Sequence, residues 1–334
     1  MRQSAKPSGA NSGAMIQPLI SSADLAIANY EGSISPDYPL GGYPMFNAPP
    51  EIAQAVKNAG FDVVSLANNH ITDSRSEGID STYHTFNDLG VTPFGVNIQA
   101  DQPMVVKDVN GIKVALLAYT YGFNGMEQTL TYQEQQMKLE PIIEENIQAD
   151  ITQAKELADV IIVYPHMGVE YMLEPTQEQV DLYHKMVDWG ADIVFGNHPH
   201  VLQPTEIIQK DGLDKFIIYS MGNFLSNQRI ETLDNAWTER GVVMEVNISQ
   251  ENDEPVKIES IVAHPTWVYR EPIHTHLVDG VHVPHQYHVL STSQALAGQL
   301  DLELTQAHLD RIQRAHDEVL QHLNIGPLTG GQNE

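Results

Sequence analysis

The sequence predicts an α/β protein, and three observations carry that prediction. Short apolar runs alternate with segments of helical spacing along most of the chain. Several of those runs end in Asn, Glu, His or Gly, at the strand ends where open α/β sheets bind their ligands. The chain has 334 residues and is 42% hydrophobic, enough to bury a substantial core. Alternating βα units imply parallel pairing with right-handed crossovers, so the run ends collect at one edge of a sheet. No internal repeat interrupts the pattern.

Residues 1–14 are rich in Ser, Gly, Ala and Asn and read as a disordered linker or a trimmed start, with no signal-peptide h-region. Residues 15–22 suit a short helix. Residues 24–28 form the first apolar run, which ends in Asn29, Tyr30, Glu31 and Gly32. Proline and glycine make 33–50 a loop. Residues 51–59 read as a helix, with Pro50 near its start and Gly60 closing it. The second run, 61–67, leads into Asn68, Asn69, His70 and Asp73, and a helix over 76–89 ends at Gly90. Residues 105–106 and 113–119, joined through Asn110 and Gly111, read as a β-hairpin, since Asn-Gly favours a type I′ turn. Residues 122–138 read as a loop or lid, and 142–158 have helical spacing. The strand at 159–164 leads to Pro165, His166, Gly168, Glu170 and Tyr171. A helix at 177–189, capped by Gly190, feeds a strand at 193–195. A strand at 216–219 is followed by Gly222 and Asn223. Residues 241–248 and 256–267 read as antiparallel strands of a second sheet. Residues 293–323 read as an amphipathic helix or helical pair. The expected organisation is a main domain over 15–290 and a C-terminal helical extension with a loose tail over 291–334.

Charge and cysteine content narrow the function. Lys+Arg is 17 and Asp+Glu is 44, a formal net charge of -27, which excludes nucleic acid or an anionic membrane as a partner held by bulk attraction. There is no cysteine, so any metal site must use His, Asp, Glu or Asn. That also fits an extracytoplasmic bacterial protein without disulfides. No run approaches the roughly 20 apolar residues needed to span a bilayer.

The chemistry centres on the segment 192–204. A short apolar run, Ile193 to Phe195, ends at Gly196, and Pro199 separates His198 from His200. Proline disfavours helix before it, so the segment is expected to be extended, with both imidazoles on one side and Cα atoms roughly 6–7 Å apart. Such a pair suits a divalent metal, or a metal on one ring and substrate on the other; the alternative is two surface histidines in a loop. Convergence of run ends would bring Glu31, Asn69, His70, His166, His198 and His200 together, which core packing does not require. Asn69 could offer its amide oxygen, and His70 could serve as acid or base with Asp73 orienting it. Nitrogen and oxygen donors without thiolate suit one or two ions of Zn, Mn or Fe, and two such ions about 3.5–4 Å apart can activate water. The tract holding His274, His276, His282, His285 and His288 reads as a solvated loop or edge.

Five segments together carry a resemblance: Ala28-Asn-Tyr-Glu31; Leu66-Ala-Asn-Asn-His70 with Asp73; His166-Met-Gly-Val-Glu-Tyr171; Gly196-Asn-His-Pro-His200 with Gln203-Pro204; and Tyr219-Ser-Met-Gly-Asn-Phe224. Pro265-Thr-Trp-Val268 adds a later one. Over about 15–290 the chain resembles the bacterial capsule synthesis family CapA, or PgsA, of poly-γ-glutamate biosynthesis, which is related to calcineurin-like metallophosphoesterases. The resemblance implies a four-layer αββα sandwich with metals at the strand ends. It implies Asn69, His166, His198 and His200 as metal ligands, Glu31 as a ligand or water-orienting group, and His70 in the place of a catalytic histidine. Glu170 and Asn223 would contact the ligands or the substrate. Members carry a strand ending in Gly-Asp ahead of the segment 24–31, and this chain has no Gly-Asp there. The expectation is therefore a sandwich lacking its first strand, with one metal or none unless another residue substitutes. The implied partners are poly-γ-glutamate or a related polymer and membrane synthase subunits, at an extracytoplasmic or cell-surface location. The implied activity is hydrolysis of a γ-glutamyl amide or a phosphoester. The alternatives are a non-catalytic accessory protein of polymer synthesis or export, and a domain whose histidines are structural.

Overall fold

A computed structural model of the chain describes residues 15–252, 254–272 and 285–328, and only the backbone of 277–278 and 281–282. The expected linker at 1–14, His274, His276 and the side chain of His282 lie outside the described residues. The first helix, α1 (Gln17–Ile20), leads into a sheet of three short parallel strands, β1 (Ile27–Asn29), β2 (Val63–Ser65) and β3 (Thr92–Phe94), in that order. The crossovers carry α2 (Glu51–Ala59) and α3 (Arg75–Asp88). Gly60 ends α2 at a φ of 104°, a left-handed turn that glycine makes without a steric penalty.

The second sheet has six strands: β4 (Val105–Val109), β5 (Ile112–Thr120), β6 (Val160–His166), β7 (Ile193–Phe195), β8 (Leu202–Lys210) and β9 (Leu213–Met221). Their spatial order is β4-β5-β6-β7-β9-β8. The inner four run parallel, and an antiparallel hairpin closes each edge. Asn110 and Gly111 both take positive φ, as the hairpin turn between β4 and β5 requires. Helices α4 (Tyr132–Lys138), α5 (Glu144–Ala154) and α6 (Gln177–Trp189) lie in the connections. The stretch read as a loop or lid therefore contains a short helix, started by a Thr131–Glu134 capping box.

After α7 (Ile230–Leu233), a third sheet pairs β10 (Arg240–Ser249), β11 (Lys257–Pro272) and β14 (His285–Ser291) antiparallel. The short strands β12 (Leu277–Val278) and β13 (Val281–His282) pair separately. Two helices close the chain, α8 (Thr292–Leu296) and α9 (Gln306–Leu323). His285 to His288 sit on the edge strand β14, as an edge reading expects, but His288 is buried, with Nε2 2.9 Å from Glu271 Oε2.

Period-2 alternation divides the core into layers. Val114, Leu116, Ile162 and Tyr164 of the six-stranded sheet share a cluster with Val63 and Phe94 of the first sheet and Val242 of the third. The intervening residues Ala115, Leu117, Ile161 and Val163 face the other way, onto Ile147 and Ile151 of α5 and Leu182 and Met186 of α6. The far side of the first sheet packs Val64 against Ala53 of α2 and Ile79 and Phe86 of α3. Helix, sheet, sheet, helix is the four-layer αββα sandwich. The third sheet extends the inner sheet layer, and α9 joins the same cluster through Val319 and Leu323.

Gly196 shows how closely the strand ends approach. Its N–H donates to the Ile218 carbonyl at 2.8 Å, and a Cβ there would lie 2.0 Å from the Tyr219 carbonyl oxygen. Backbone cannot yield as a side chain would. Gly196→Ala is therefore expected to destabilise the fold by about 2–3 kcal/mol, toward the upper end for overpacking. Urea unfolding measures this, and a loss below about 0.5 kcal/mol would show that β7 and β9 can separate at no cost.

Candidate metal centre

Glu31, His166, His198 and His200 lie in one cluster, with Asn69 against His166 and His70 close by. β1 delivers Glu31, the chain after β2 delivers Asn69 and His70, β6 ends on His166, and the turn after β7 carries His198 and His200. Register sets their level: Thr120 pairs with His166, and His166 bridges to Asn197. Glu31, His166 and His198 present ligand atoms within 4.8 Å of one another, and so do Glu170, His198 and His200. His198 belongs to both groups.

The extended course expected for 197–200 is not what the chain takes. His198 has φ 102° and His200 φ 59°, so both lie in the left-handed region. Asn197 still pairs with β6, since its N–H donates to Pro165 and its C=O accepts from Met167, each at 3.0 Å. The chain then turns back, and the Pro199 carbonyl accepts the Tyr171 N–H at 2.8 Å. The turn, rather than strand alternation, brings the two imidazoles to a centroid separation of 5.9 Å. Side chains held in a strained backbone at a polar cluster commonly mark a functional site.

Burial sets the protonation of the two central histidines. His166 is 1% exposed and His198 6%. Burial, reinforced by the neighbouring histidines, holds His166 well below the usual imidazole range and His198 down to about 3. Both are neutral at pH 7. Asn69 Oδ1 lies 2.9 Å from His166 Nε2, and His166 Nδ1 and His198 Nδ1 are buried without a hydrogen-bond partner. A buried lone pair without a donor is costly unless something electropositive meets it. Glu31 is pushed up by burial, against the pull of His200 and His70, and its carboxylate lies 3.8 Å from His200 Nε2. Neutral imidazoles with unclaimed nitrogens, beside carboxylates that burial penalises when bare, fit a divalent cation. The residues that would hold it are Glu31, His166, His198, His200 and Glu170, with the Asn69 amide oxygen adjacent.

Beside the cluster, His70 Nδ1 is 2.7 Å from Asp73 Oδ2, and the same oxygen accepts the Phe46 N–H at 2.6 Å. The Phe46 ring stands edge-on to His70 at 4.4 Å. Asp73 thus faces His70 rather than the ligand groups, as an orienting partner would. Asn223 Oδ1 lies 3.1 Å from His200 Nδ1, and its amide N–H groups go to Gln228 and the Thr238 carbonyl. Asn223 therefore braces His200 from behind.

Sequence reasoning missed Tyr121 and Asn124, and it gave Asn68 no role of its own. Tyr121, just past β5, packs its ring 4.6 Å from that of His198 and points its hydroxyl toward Asn124. Asn124 also accepts from Asn69 at 3.4 Å. Asn68 is fully buried; it donates to the Tyr30 and Leu66 carbonyls and accepts the His70 N–H, which ties the β2 end to the β1 end. Applying the strand-end rule to β5, whose apolar run stops at Tyr119, would have flagged Tyr121.

The depressed histidines give a signed pH dependence. A group whose folded pKa lies below its unfolded value of about 6.5 contributes stability that is complete above that pH and is lost as pH falls. Metal-free protein should therefore lose stability from about pH 6.5 downward, by about 1.4 kcal/mol per pH unit for each neutral buried histidine. His198→Asn should make the slope shallower by about that amount, measured as urea midpoints between pH 7 and 5. Parallel slopes would mean that His198 accepts a proton in the folded state.

A family model described as bacterial capsule synthesis protein PGA_cap matches residues 2–228. The capsule biosynthesis protein CapA of Bacillus anthracis is 37% identical over 188 residues, covering 54% of this chain and 44% of that protein. The PGA biosynthesis protein CapA of Bacillus subtilis (strain 168) is 29% identical over 266 residues, covering 74% of this chain and 67% of that protein. This chain therefore matches less than half the length of the Bacillus anthracis relative. A solved putative 5'-nucleotidase from Staphylococcus aureus aligns over 92% of this chain and 52% of that one, with a TM-score of 0.47 and 14% identity. Among the described residues no helix is long and apolar enough to cross a membrane. The family match covers the segments that carry Glu31, Asn69, His70, His166, His198 and His200, and with it the chain belongs to the bacterial capsule synthesis protein family.

Proposed function

We propose that the protein is a metal-dependent hydrolase of capsule polymer metabolism, acting on a γ-glutamyl amide or a phosphoester at the cell surface. The observation that carries this reading is the pairing of two ligand groups sharing His198 with an adjacent His70–Asp73 dyad. A divalent ion of Zn, Mn or Fe, when bound, supplies Lewis-acid polarisation of the substrate oxygen and a water of lowered pKa. His70 donates its Nδ1 proton to Asp73, which leaves Nε2 to give a proton to a leaving nitrogen or oxygen or to take one from water. Asn223 holds the His200 ring through Nδ1 and so presents Nε2 toward Glu31. Tyr121 shields one side of His198 and carries a phenol beside Asn69 and Asn124.

The surroundings bear on the substrate. Among the described residues no Lys or Arg lines the cavity in front of the cluster, whereas Asp24, Glu31, Glu170 and Glu245 do. Carboxylates of an acidic polymer would therefore be met through the ion and not through a basic patch. Tyr43 and Tyr171 are exposed at the rim and offer ring faces to an uncharged backbone.

The test is turnover by protein loaded with Zn or Mn, on a chromogenic γ-glutamyl anilide and on a phosphodiester. His198→Ala should abolish both metal retention and turnover. His70→Ala should keep the metal and lose roughly 10²–10⁴-fold in kcat. Polymer binding without turnover on either substrate would favour an accessory role in polymer synthesis or export. Turnover unchanged in metal-free protein would overturn the hydrolase mechanism.

A further inference from the structure

The C-terminal helix α9 lies outside the residues that match the family, yet its last turn reaches the supports of the metal cluster. That turn carries His322, whose Nε2 is 3.1 Å from the Leu173 carbonyl oxygen and 3.1 Å from that of Leu202. Both neighbours are acceptors, so Nε2 carries a hydrogen and donates it to the two oxygens together. The oxygens belong to the two segments that supply the group of Glu170, His198 and His200. Leu173 follows Glu170 by three residues, and Leu202 follows His200 by two.

The loop over 167–176 depends on such holding. It has no helix or strand of its own, and Glu170 within it is exposed. The course of the backbone, rather than packing of the side chain, therefore sets the Glu170 carboxylate beside His198 and His200. Tyr171 has φ 67°, a left-handed conformation that its surroundings must impose, and its ring stacks on His200 at 6.1 Å. Buried glutamines hold much of the loop. Gln179 Nε2 donates to the Met167 carbonyl at 3.3 Å and to Gln203 Oε1 at 3.2 Å. Gln203 Nε2 donates to the Met172 carbonyl at 2.8 Å and to that of Glu174 at 3.2 Å. His322 takes the Leu173 carbonyl between those two.

His322 is itself fixed. Its ring packs 5.1 Å from that of Trp237. The next residue, Leu323, is buried, and its carbonyl accepts the Thr205 hydroxyl at 2.9 Å. One turn earlier Val319 lies in the inner core, and Glu318 pairs with Arg240 at 2.5 Å. A histidine in the last turn of a helix commonly serves that helix's own carbonyls and dipole. Here the N–H goes instead to other elements, 149 and 120 residues away along the chain.

We infer that His322 is a positioning residue for Glu170, His198 and His200. Its one N–H clamps the Glu170 loop to the start of β8, and so holds Glu170 and Tyr171 against the turn that carries His200. The role toward an ion rests on the reading of the cluster as a metal centre; the clamp on the loop does not.

Two variants of the full chain separate the donor from the packing. His322→Phe keeps a ring against Trp237 and removes the N–H; His322→Gln removes the ring and keeps an amide N–H within reach of both carbonyls. The first readout is amide hydrogen exchange of metal-free protein, by mass spectrometry. Peptides covering 168–175, where the Tyr171 N–H donates to the Pro199 carbonyl, should exchange about tenfold faster in His322→Phe and within about twofold of the unaltered protein in His322→Gln. Peptides covering 306–320 should exchange alike in all three proteins. The second readout is zinc affinity, by competition with a chromogenic chelator. It should fall about tenfold in His322→Phe, as loss of an outer support of metal ligands commonly does, and recover in His322→Gln. Unchanged exchange of 168–175 in His322→Phe would overturn the inference. So would equal acceleration in both variants, or acceleration of 306–320 in step with the loop, which would make His322 a support of α9 alone. An unaltered protein that takes up no zinc while the exchange pattern holds would overturn the metal-centre reading and leave the clamp supported.

Discussion

Parallel pairing of β5, β6 and β7 forces three strand ends to one level, and the site depends on that constraint. Thr120 opposite His166 and His166 opposite Asn197 leave little freedom in where the next side chains emerge. The first sheet, stacked across the inner core, brings Glu31 and Asn69 to the same place from the other layer. Because the meeting point lies between two sheets, His166 and His198 are buried. Burial keeps both neutral and makes a bare Glu31 carboxylate costly. The same packing that stabilises the sandwich therefore gathers nitrogen and oxygen donors that could hold a cation.

Around that point the supports are short and polar. Asn68 ties the ends of β1 and β2 together, Asn223 steers His200, and Asp73 steers His70. None of these three needs to touch an ion to matter. Each fixes the ring or backbone orientation of a residue that would, as outer partners of metal ligands and acid–base groups commonly do.

The strand-end residues were legible because apolar runs stop where polar side chains begin, and βα alternation dictates that such ends meet. Glu31, Asn69, His70, His166, His198 and His200 could all be named on that ground. The turn through His198 and His200 was not legible. Pro199 favours an extended neighbour, but pairing of Asn197 with β6 and of Pro199 with Tyr171 imposes left-handed backbone that no local propensity signals. Tyr121 escaped because the apolar run of β5 stops at Tyr119, two residues earlier. Sheet membership was only partly legible. Periodicity distinguished 241–248 and 256–267 as antiparallel strands, yet β14 lies in a histidine-rich tract with no apolar signature, and its place beside β11 comes from tertiary pairing. The placement of β8 outside β9 likewise depends on pairing that side-chain period does not encode.

The central claim is that Glu31, His166, His198, His200 and Glu170 form a centre for a divalent ion. Anomalous X-ray diffraction from crystals soaked in Zn or Mn tests it without reference to any substrate. The account predicts a peak bounded by Glu31, His166 and His198, with ligand distances of about 2.0–2.2 Å. A second peak would be expected only between Glu170, His198 and His200. Crystals that show no peak there, or that bind the ion only at surface carboxylates, would contradict it.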